Sequence, residues 1–178
     1  PAEHIVAGVK SGNLRELVHQ ELKRRGTKCR CIRCREVGFK YLKVDESEIR
    51  LMKEVYEAAG GVEIFISYEH PKTDALIGFL RLRIPSERAH RAEVKEARTA
   101  LVRELHVYGE ALPLGARKAD AWQHKGYGKR LLAEAERIAV EEYGCRKILV
   151  TSAVGVRQYY ASQGYRLEGP YMAKRLTV

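Results

Sequence analysis

The octapeptide QHKGYGKR, Gln123 to Arg130, sets Gly126 and Gly128 among basic residues just before a helix-like run, YGKRLLAEAERIAVEEYG. Glycine at a helix start costs conformational entropy and brings no side chain to pack. What such a position offers is bare backbone. The first amides of a helix lack intrahelical partners and carry partial positive charge, so they can receive a phosphate, and Lys129 and Arg130 add charge beside them. A tight turn needs two glycines equally. The loop therefore specifies an anion site only in company with a strand before it and a strand after the helix.

A second chemical grouping lies in TKCRCIRCRE, where Cys29, Cys31 and Cys34 follow a C-x-C-x2-C spacing. Three thiols this close form no useful set of disulfides, and a reducing compartment keeps them free. Clustered thiolates repel one another unless a cation neutralises them, and zinc is favoured because thiolates are soft ligands that commonly build tetrahedral sites. One ligand is missing. Cys145 opens an apolar strand far along the chain, where a small buried residue is the better reading. His4, His19, His70 and His90 stay open as alternatives. The spacing also differs from the C-x3-C-x2-C arrangement that holds the iron–sulfur cluster of radical enzymes.

The same segment concentrates charge. The 178 residues carry 33 Lys and Arg against 23 Asp and Glu, a net of +10, and Leu22 to Lys43 alone holds nine basic residues against Glu36, a local net of +8. Such a segment suits a polyanion, because neutralised phosphates release counterions. Lys23, Arg24, Arg25, Lys28, Arg30, Arg33 and Arg35 are the candidate contacts. A solvated basic face is the plainer alternative. With 45% apolar residues the chain can fold around one sizeable core. It has no run of 18 apolar residues and no charged-then-apolar leader, so a soluble cytoplasmic protein with no membrane partner is expected. The opening PAEHIVAGVKSGNLREL reads as chain already under way, and a longer protein is expected.

The elements that must position these groups divide the chain in two. Asn13 is expected to cap a helix running to about Arg25, with Glu16 completing a capping box and Gly26 ending it. Leu14, Leu17, Val18 and Leu22 share one face of that helix. Irregular structure follows through the cysteines, and GFKYLKV reads as a strand. A short helix from Glu48 to Ala59 is expected to stop at Gly60-Gly61. VEIFISYEH and ALIGFLRLRI, separated by Pro71 to Asp74, form a β-hairpin. RTALVRELHVYG is a further strand, and GEALPLGARKADAW is the loop into the glycine motif. After the helix Tyr127 to Tyr143 come the strand RKILVTSA, a helix VGVRQYYASQ ending at Gly164, and closing strands in RLEGPYMAKRL.

In that order the blocks carry a resemblance. QHKGYG matches the Q-x-x-G-x-G pyrophosphate loop of the GNAT acetyltransferases, with an apolar strand before it and the segment bearing Tyr159, Tyr160, Gly164 and Tyr165 after it. CRCIRCREVG, SYEHPKTDALIGFLRLR, VRELHVYG, QHKGYGKRLL and YYASQGYRLEGPYMAKRL together resemble the C-terminal half of the Elongator catalytic subunits, which are transfer-RNA acetyltransferases. The resemblance implies an α/β GNAT fold, a mixed central sheet flanked by helices. A small helical, zinc-binding extension precedes it, with residues 1–46 as basic linker and metal segment and 47–178 as the acetyltransferase domain.

Residue by residue, the resemblance places acetyl-CoA along the backbone of Glu104, Leu105, His106 and Val107. Its pyrophosphate falls on the amides of Lys125 through Lys129, with Gln123, Gly126, Tyr127, Gly128 and Lys129 as loop contacts. Tyr160 falls where the family sets a tyrosine near the thioester, as hydrogen-bond donor or general acid for the leaving thiolate. Tyr159 is its rival, because a helix turns about 100° per residue and one of the pair is expected to face the cleft. Strict alternation along VRELHVYG puts Val102, Glu104 and His106 on one face and Arg103, Leu105 and Val107 on the other. A carboxylate and an imidazole side by side at a cofactor cleft can activate water or an amine, so Glu104 and His106 join the catalytic candidates.

C5 of a wobble uridine has no useful nucleophilicity. In the family a separate N-terminal radical domain with an iron–sulfur cluster and S-adenosylmethionine supplies a radical, and its cluster motif does not occur in these residues. The resemblance thus implies a chain that binds acetyl-CoA and tRNA and partners that domain. It leaves open hydrolysis of acetyl-CoA in response to tRNA. Two other readings are a free-standing lysine or amine N-acetyltransferase, and a zinc-stabilised RNA-binding module without catalysis. A positive protein attracts cationic amine substrates poorly.

Overall fold

The computed structural model describes residues 4, 6–40, 44–96, 98–109 and 125–177. They fall into two compact units, Pro1–Arg35 and Glu36–Val178. The division comes after Arg35 rather than after residue 46. Val37 is buried with the core of the second unit, and Glu36 bridges Leu76 in parallel.

The first unit holds α1 (Leu14–Arg24) and the single turn α2 (Ile32–Arg35). Its capping box does not form. The Asn13 side chain accepts from Ser11 Oγ at 2.7 Å, and only its backbone carbonyl receives the amides of Glu16 and Leu17, at 2.9 and 3.2 Å. Leu14, Leu17 and Val18 do share a face, yet each remains about 45% exposed and α1 buries no residue.

The second unit begins with α3 (Val37–Lys40) and a 3₁₀ turn, Glu46–Glu48. The strand expected from GFKYLKV is therefore helical at its start, and residues 41–43 lie outside the described residues. Seven strands follow in one mixed sheet: β1 (Arg50–Ala58), β2 (Gly61–His70), β3 (Ala75–Ile84), β4 (Thr99–Val107), β5 (Lys147–Val150), β6 (Arg166–Glu168) and β7 (Tyr171–Arg175). Their spatial order is β1-β2-β3-β4-β5-β7-β6, and β4 with β5 is the parallel pair. The helices of this unit are α4 (Ala92–Lys95), α5 (Tyr127–Glu141) and α6 (Arg157–Ala161).

The helix expected over Glu48 to Ala59 is in fact β1. Ala59 and Gly60, both at positive φ (45° and 71°), make the two-residue turn whose twist matches a hairpin, not a helix C-cap. That turn sets the register Ala58↔Gly61 through Arg50↔Glu69. The loop GEALPLGARKADAW lies, apart from Gly109, outside the described residues.

α5 organises the core. Tyr127, Leu131, Leu132, Ala135, Ile138 and Ala139 recur at helical spacing and are buried. They join one cluster with Ile64 and Ile66 of β2, Leu80 and Leu82 of β3, and Val102 of β4. The opposite face of the sheet carries a smaller cluster in which Val94 of α4 packs with Leu149 and Ala173.

Candidate functional site

The site begins where two parallel strands part. β4 pairs with β5 from Thr99↔Lys147 to Val102↔Val150, and the amide of Thr151 still reaches Val102 O at 3.0 Å. Beyond that point Glu104–Val107 pairs with β3 on one side and has no strand beside it on the other among the described residues. A bulge marks the parting: Leu82 faces Val102 and Arg81 faces Glu104, leaving Arg103 as the extra residue.

The bulge inverts the expected alternation. Val102 shares its face with Leu105 and Val107, opposite Leu82, Leu80 and Gly78, whereas Glu104 and His106 lie opposite Arg81 and Phe79 on the other face. Strict period-two reading failed because one inserted residue shifts every side chain beyond it. Glu104 stands 3.7 Å from Arg81, and His106 stacks on Phe79 with ring centroids 6.3 Å apart. These two side chains remain neighbours, with the sheet between them and the cavity described next.

Between the parted strands and the start of α5 lies a cavity of about 400 Å3. It is lined by Leu105, Val107, Gly126, Gly128, Lys129, Val156, Tyr159 and Tyr160. Gly126 caps α5 in the left-handed region, φ 79°, which a side chain disfavours. The first intrahelical bond runs from Arg130 N to Gly126 O, so the amides of Tyr127, Gly128 and Lys129 precede it. A Cβ on Gly128 would stand 3.0 Å from the Tyr159 hydroxyl and 3.6 Å from Val107. Bare backbone is thus required twice, once for the turn and once for close approach. Gln123 lies outside the described residues.

Both tyrosines line the cavity, so the expected choice between them is not made by helix rotation. Tyr159 and Tyr160 meet edge to face, centroids 5.1 Å apart, and Tyr160 meets Tyr165 likewise at 5.9 Å. The Tyr159 hydroxyl is buried without a hydrogen-bond partner among the described residues. Burial pushes its pKa up. Burial, and secondarily the neighbouring Tyr159, pushes Tyr160 up to about 12. Both phenols therefore keep their protons at neutral pH and can donate.

A contact the sequence did not announce secures the loop. Glu46 accepts from Lys125 Nζ at 2.8 Å and from the Tyr127 hydroxyl at 3.2 Å, across 79 and 81 residues of chain. The bond from Lys125, first among several causes, holds the Glu46 carboxyl below its usual range. Burial, then Glu46, pushes Tyr127 up to about 12. Arg130 turns back over the rings of Tyr68 and Tyr127, 4.5 and 5.1 Å from their centroids. Val156 was also missed, since nothing in VGVRQYYASQ distinguishes a lining valine.

In the first unit, His19, Cys29 and Cys34 bring their ligand atoms within 4.8 Å of one another, with Cys34 Sγ 3.4 Å from His19 Nε2. Of the four open histidines, His19 is the one that joins the thiols in a cluster among the described residues. Cys31 stands just outside this trio. The Arg15 guanidinium lies 3.0 Å from Cys34 Sγ and 3.7 Å from Cys31 Sγ. The backbone bond from Cys34, then Arg15 and Cys29, bring Cys31 down to about 6. Cys145 is buried, as expected of a packing residue, and burial pushes its thiol up.

Of the basic candidates, Lys23, Arg24, Arg25, Lys28, Arg30 and Arg33 are exposed and Arg35 is half-buried. Glu21 engages Arg24 and Arg25, each at 2.7 Å.

Comparison with known proteins places this geometry. The acetyltransferase (GNAT) family model matches residues 32–165. A tRNA uridine(34) acetyltransferase of Methanocaldococcus jannaschii is 54% identical over 181 residues, covering 99% of this chain and 33% of that protein. Elongator complex protein 3 of Schizosaccharomyces pombe is 51% identical, covering 99% of this chain and 33% of that protein. The chain spans about a third of the length of the curated relatives it matches. A solved structure, the archaeal Methanocaldococcus infernus Elp3 with N-terminus deletion (1-46), superposes with a TM-score of 0.84 at 52% identity, over 99% of this chain and 42% of that one. No helix among the described residues is long and apolar enough to cross a membrane. A mixed sheet that opens between β4 and β5 onto the mouth of a helix, and a family model matching most of the chain, lead to one conclusion: this chain belongs to the GNAT acetyltransferases.

Proposed function

We propose that the chain is the acetyl-CoA-binding portion of an Elongator-type enzyme that modifies C5 of the wobble uridine of tRNA in the cytoplasm. The observation that carries this reading is the cavity at the mouth of α5, bounded by a stretch of β4 that has no strand on its β5 side and lined by a Tyr159 hydroxyl without a hydrogen-bond partner, both among the described residues. Bare backbone at Gly126 and Gly128 fits a diphosphate. The free edge of Glu104, Leu105, His106 and Val107 fits an extended amide-bearing arm, which pairs there as an added strand would.

Bound acetyl-CoA supplies an activated acyl thioester. The amides of Tyr127, Gly128 and Lys129 hold its diphosphate, and the Lys129 ammonium offsets charge. Lys125 is held at the loop by Glu46. Tyr159 and Tyr160 stay protonated at neutral pH and donate from their phenols, which suits protonation of a departing thiolate. Glu104 and His106 lie on the other face of the sheet and act, on this reading, through their backbone at the edge. The radical chemistry, with its iron–sulfur cluster and S-adenosylmethionine, belongs to a further domain of the same protein.

Thiolates of Cys29, Cys31 and Cys34 with the His19 imidazole have the donor chemistry of a tetrahedral zinc site, and three of these donors already converge. Zinc there neutralises the thiolates and fixes the basic segment. Lys23, Arg24, Arg25, Lys28, Arg30, Arg33 and Arg35 then contact the tRNA backbone. Titration of acetyl-CoA with and without tRNA tests the whole reading. Saturable acetyl-CoA binding, with hydrolysis that rises on adding tRNA, is expected. Affinity for tRNA without affinity for acetyl-CoA would leave only an RNA-binding scaffold.

A further inference from the structure

On the face of the sheet away from α5, a second cavity of about 560 Å3 opens beside the ends of β2, β3 and β4. Arg83, Arg88, Arg103 and His90 line it, together with Glu63 and small apolar residues such as Ala58 and Leu101. We propose that this cavity is a binding site for a phosphate group. The inference does not depend on the acetyl-CoA reading, since it uses other residues on the other face.

Three features carry it. First, positive charge gathers there at a structural cost. Glu63 is 1% exposed in mid-sheet and is reached by Arg103 at 2.5 Å, Arg83 at 3.5 Å and Arg81 at 3.8 Å. One carboxylate thus faces three guanidinium groups, and Glu104, 3.7 Å from Arg81, is the other acid engaged with them. Arg88 and His90 add to the basic side with no ion pair among the described residues. A concave site whose lining carries an excess of one sign of charge concentrates counter-ions of the other.

Second, two of the guanidinium groups are held in place before any ligand arrives. Arg83 donates to the carbonyls of Ala58 and Ala59, at 2.6 and 3.2 Å, in the turn between β1 and β2. Arg103 donates to Glu63 through one nitrogen, while its side chain remains 46% exposed. A planar donor fork fixed from behind leaves its other N–H groups to a phosphate, and little side-chain freedom is lost on binding.

Third, the register of β4 puts Arg103 here. Alternation from Leu101, which pairs with Arg83, already puts Arg103 on the Glu63 side, and the inserted residue turns Glu104 to that side as well. The irregularity in β4 thus leaves Leu105 and Val107 on the α5 face and sets Glu104 beside Arg81 on the other.

A phosphate group can come from an RNA backbone or from a small free anion such as a nucleotide. Both are tested on the chain labelled with 15N at arginine, whose Arg88 and Arg103 signals report this cavity and not the mouth of α5. Inorganic phosphate is expected to shift the guanidinium signals of Arg88 and Arg103 saturably. Arg88→Ala, which leaves the Glu63 contacts untouched, is expected to weaken that binding about tenfold, the loss typical of a hydrogen bond to a charged group. If a tRNA transcript moves the same signals, and Arg88→Ala lowers the slope of its log affinity against log salt by about one, the source is an RNA backbone. Response to inorganic phosphate and adenosine monophosphate, with tRNA leaving the signals still, assigns a small anion. The proposal is overturned if neither probe moves the signals, if Arg88→Ala changes binding of neither, or if chloride at equal ionic strength gives the same shifts.

Discussion

The helices α1 and α5 show two ways of holding a segment in place. α5 buries six of its 15 residues against a sheet, and its fold follows from apolar area removed from water. α1, 11 residues long, buries none, and its apolar stripe stays nearly half exposed. Isolated helices of that length are marginal in water. What the first unit has instead is a convergence of the ligand atoms of His19, Cys29 and Cys34 within 4.8 Å of one another. One region is organised by packing, and the zinc proposed above would organise the other by coordination. Each therefore has its own way of failing.

The largest effect is expected from removing the proposed zinc. A structural zinc in a small unit contributes on the order of 10 kcal/mol to folding. Stripping it with a chelator, or making Cys29→Ser, should release α1, seen as lost helical circular dichroism and loss of stoichiometric zinc in elemental analysis. Retention of α1 by zinc-free protein would erase the contrast. In the other region, Leu131→Ala empties a fully buried site. It should cost about 3 kcal/mol in denaturant unfolding and leave the zinc content unchanged.

Reversing Lys23, Arg24 and Arg25 to Glu should weaken tRNA binding and flatten its dependence on salt. Lys23 is expected to contribute most, since Glu21 already engages the two arginines. Equal affinity and slope after the reversal would remove the basic segment from the tRNA surface. A milder change is expected on acidification. Lys125 keeps Glu46 charged at lower pH than an ordinary glutamate, so this contact stabilises the loop above the unfolded carboxyl's pKa and is lost as pH falls through the lowered folded value. Acetyl-CoA affinity should therefore hold through neutral pH and decline in acid, with the decline moved in Glu46→Gln. The smallest effect belongs to Asn13→Ala. Its side chain makes no cap bond, so stability should change by less than about 0.5 kcal/mol. A loss near that of an ordinary N-cap, about 1 kcal/mol, would show that the cap forms in solution.

Reading the sequence succeeded where local pattern and tertiary role agree. The period of α5, the β2–β3 hairpin and the glycine pair before a helix each follow from short-range chemistry, and they pointed to the mouth of α5, where a cavity is found. β1 was misread because RLMKEVYEA carries both periods and a Gly-Gly pair can end a helix as well as turn a hairpin. The positive φ of Ala59 decides, and composition does not reveal it. Glu104 and His106 were put on the wrong side because a bulge is a tertiary event that counts one residue twice. His19 could not be chosen from four histidines, since only the fold brings residues 19, 29 and 34 together, and Glu46 reaches Lys125 across 79 residues with no mark in the sequence.

On the proposed reading, bare backbone at the mouth of α5 receives the diphosphate of acetyl-CoA. Calorimetric titration of acetyl-CoA into the native chain and into Gly128→Glu tests it most directly, with thermal melting as the control for folding. The native chain should show one saturable site. The variant, whose side chain would push into the Tyr159 hydroxyl and set a negative charge where phosphate belongs, should melt as a folded protein and show no binding. Equal affinity in the two proteins would contradict the account.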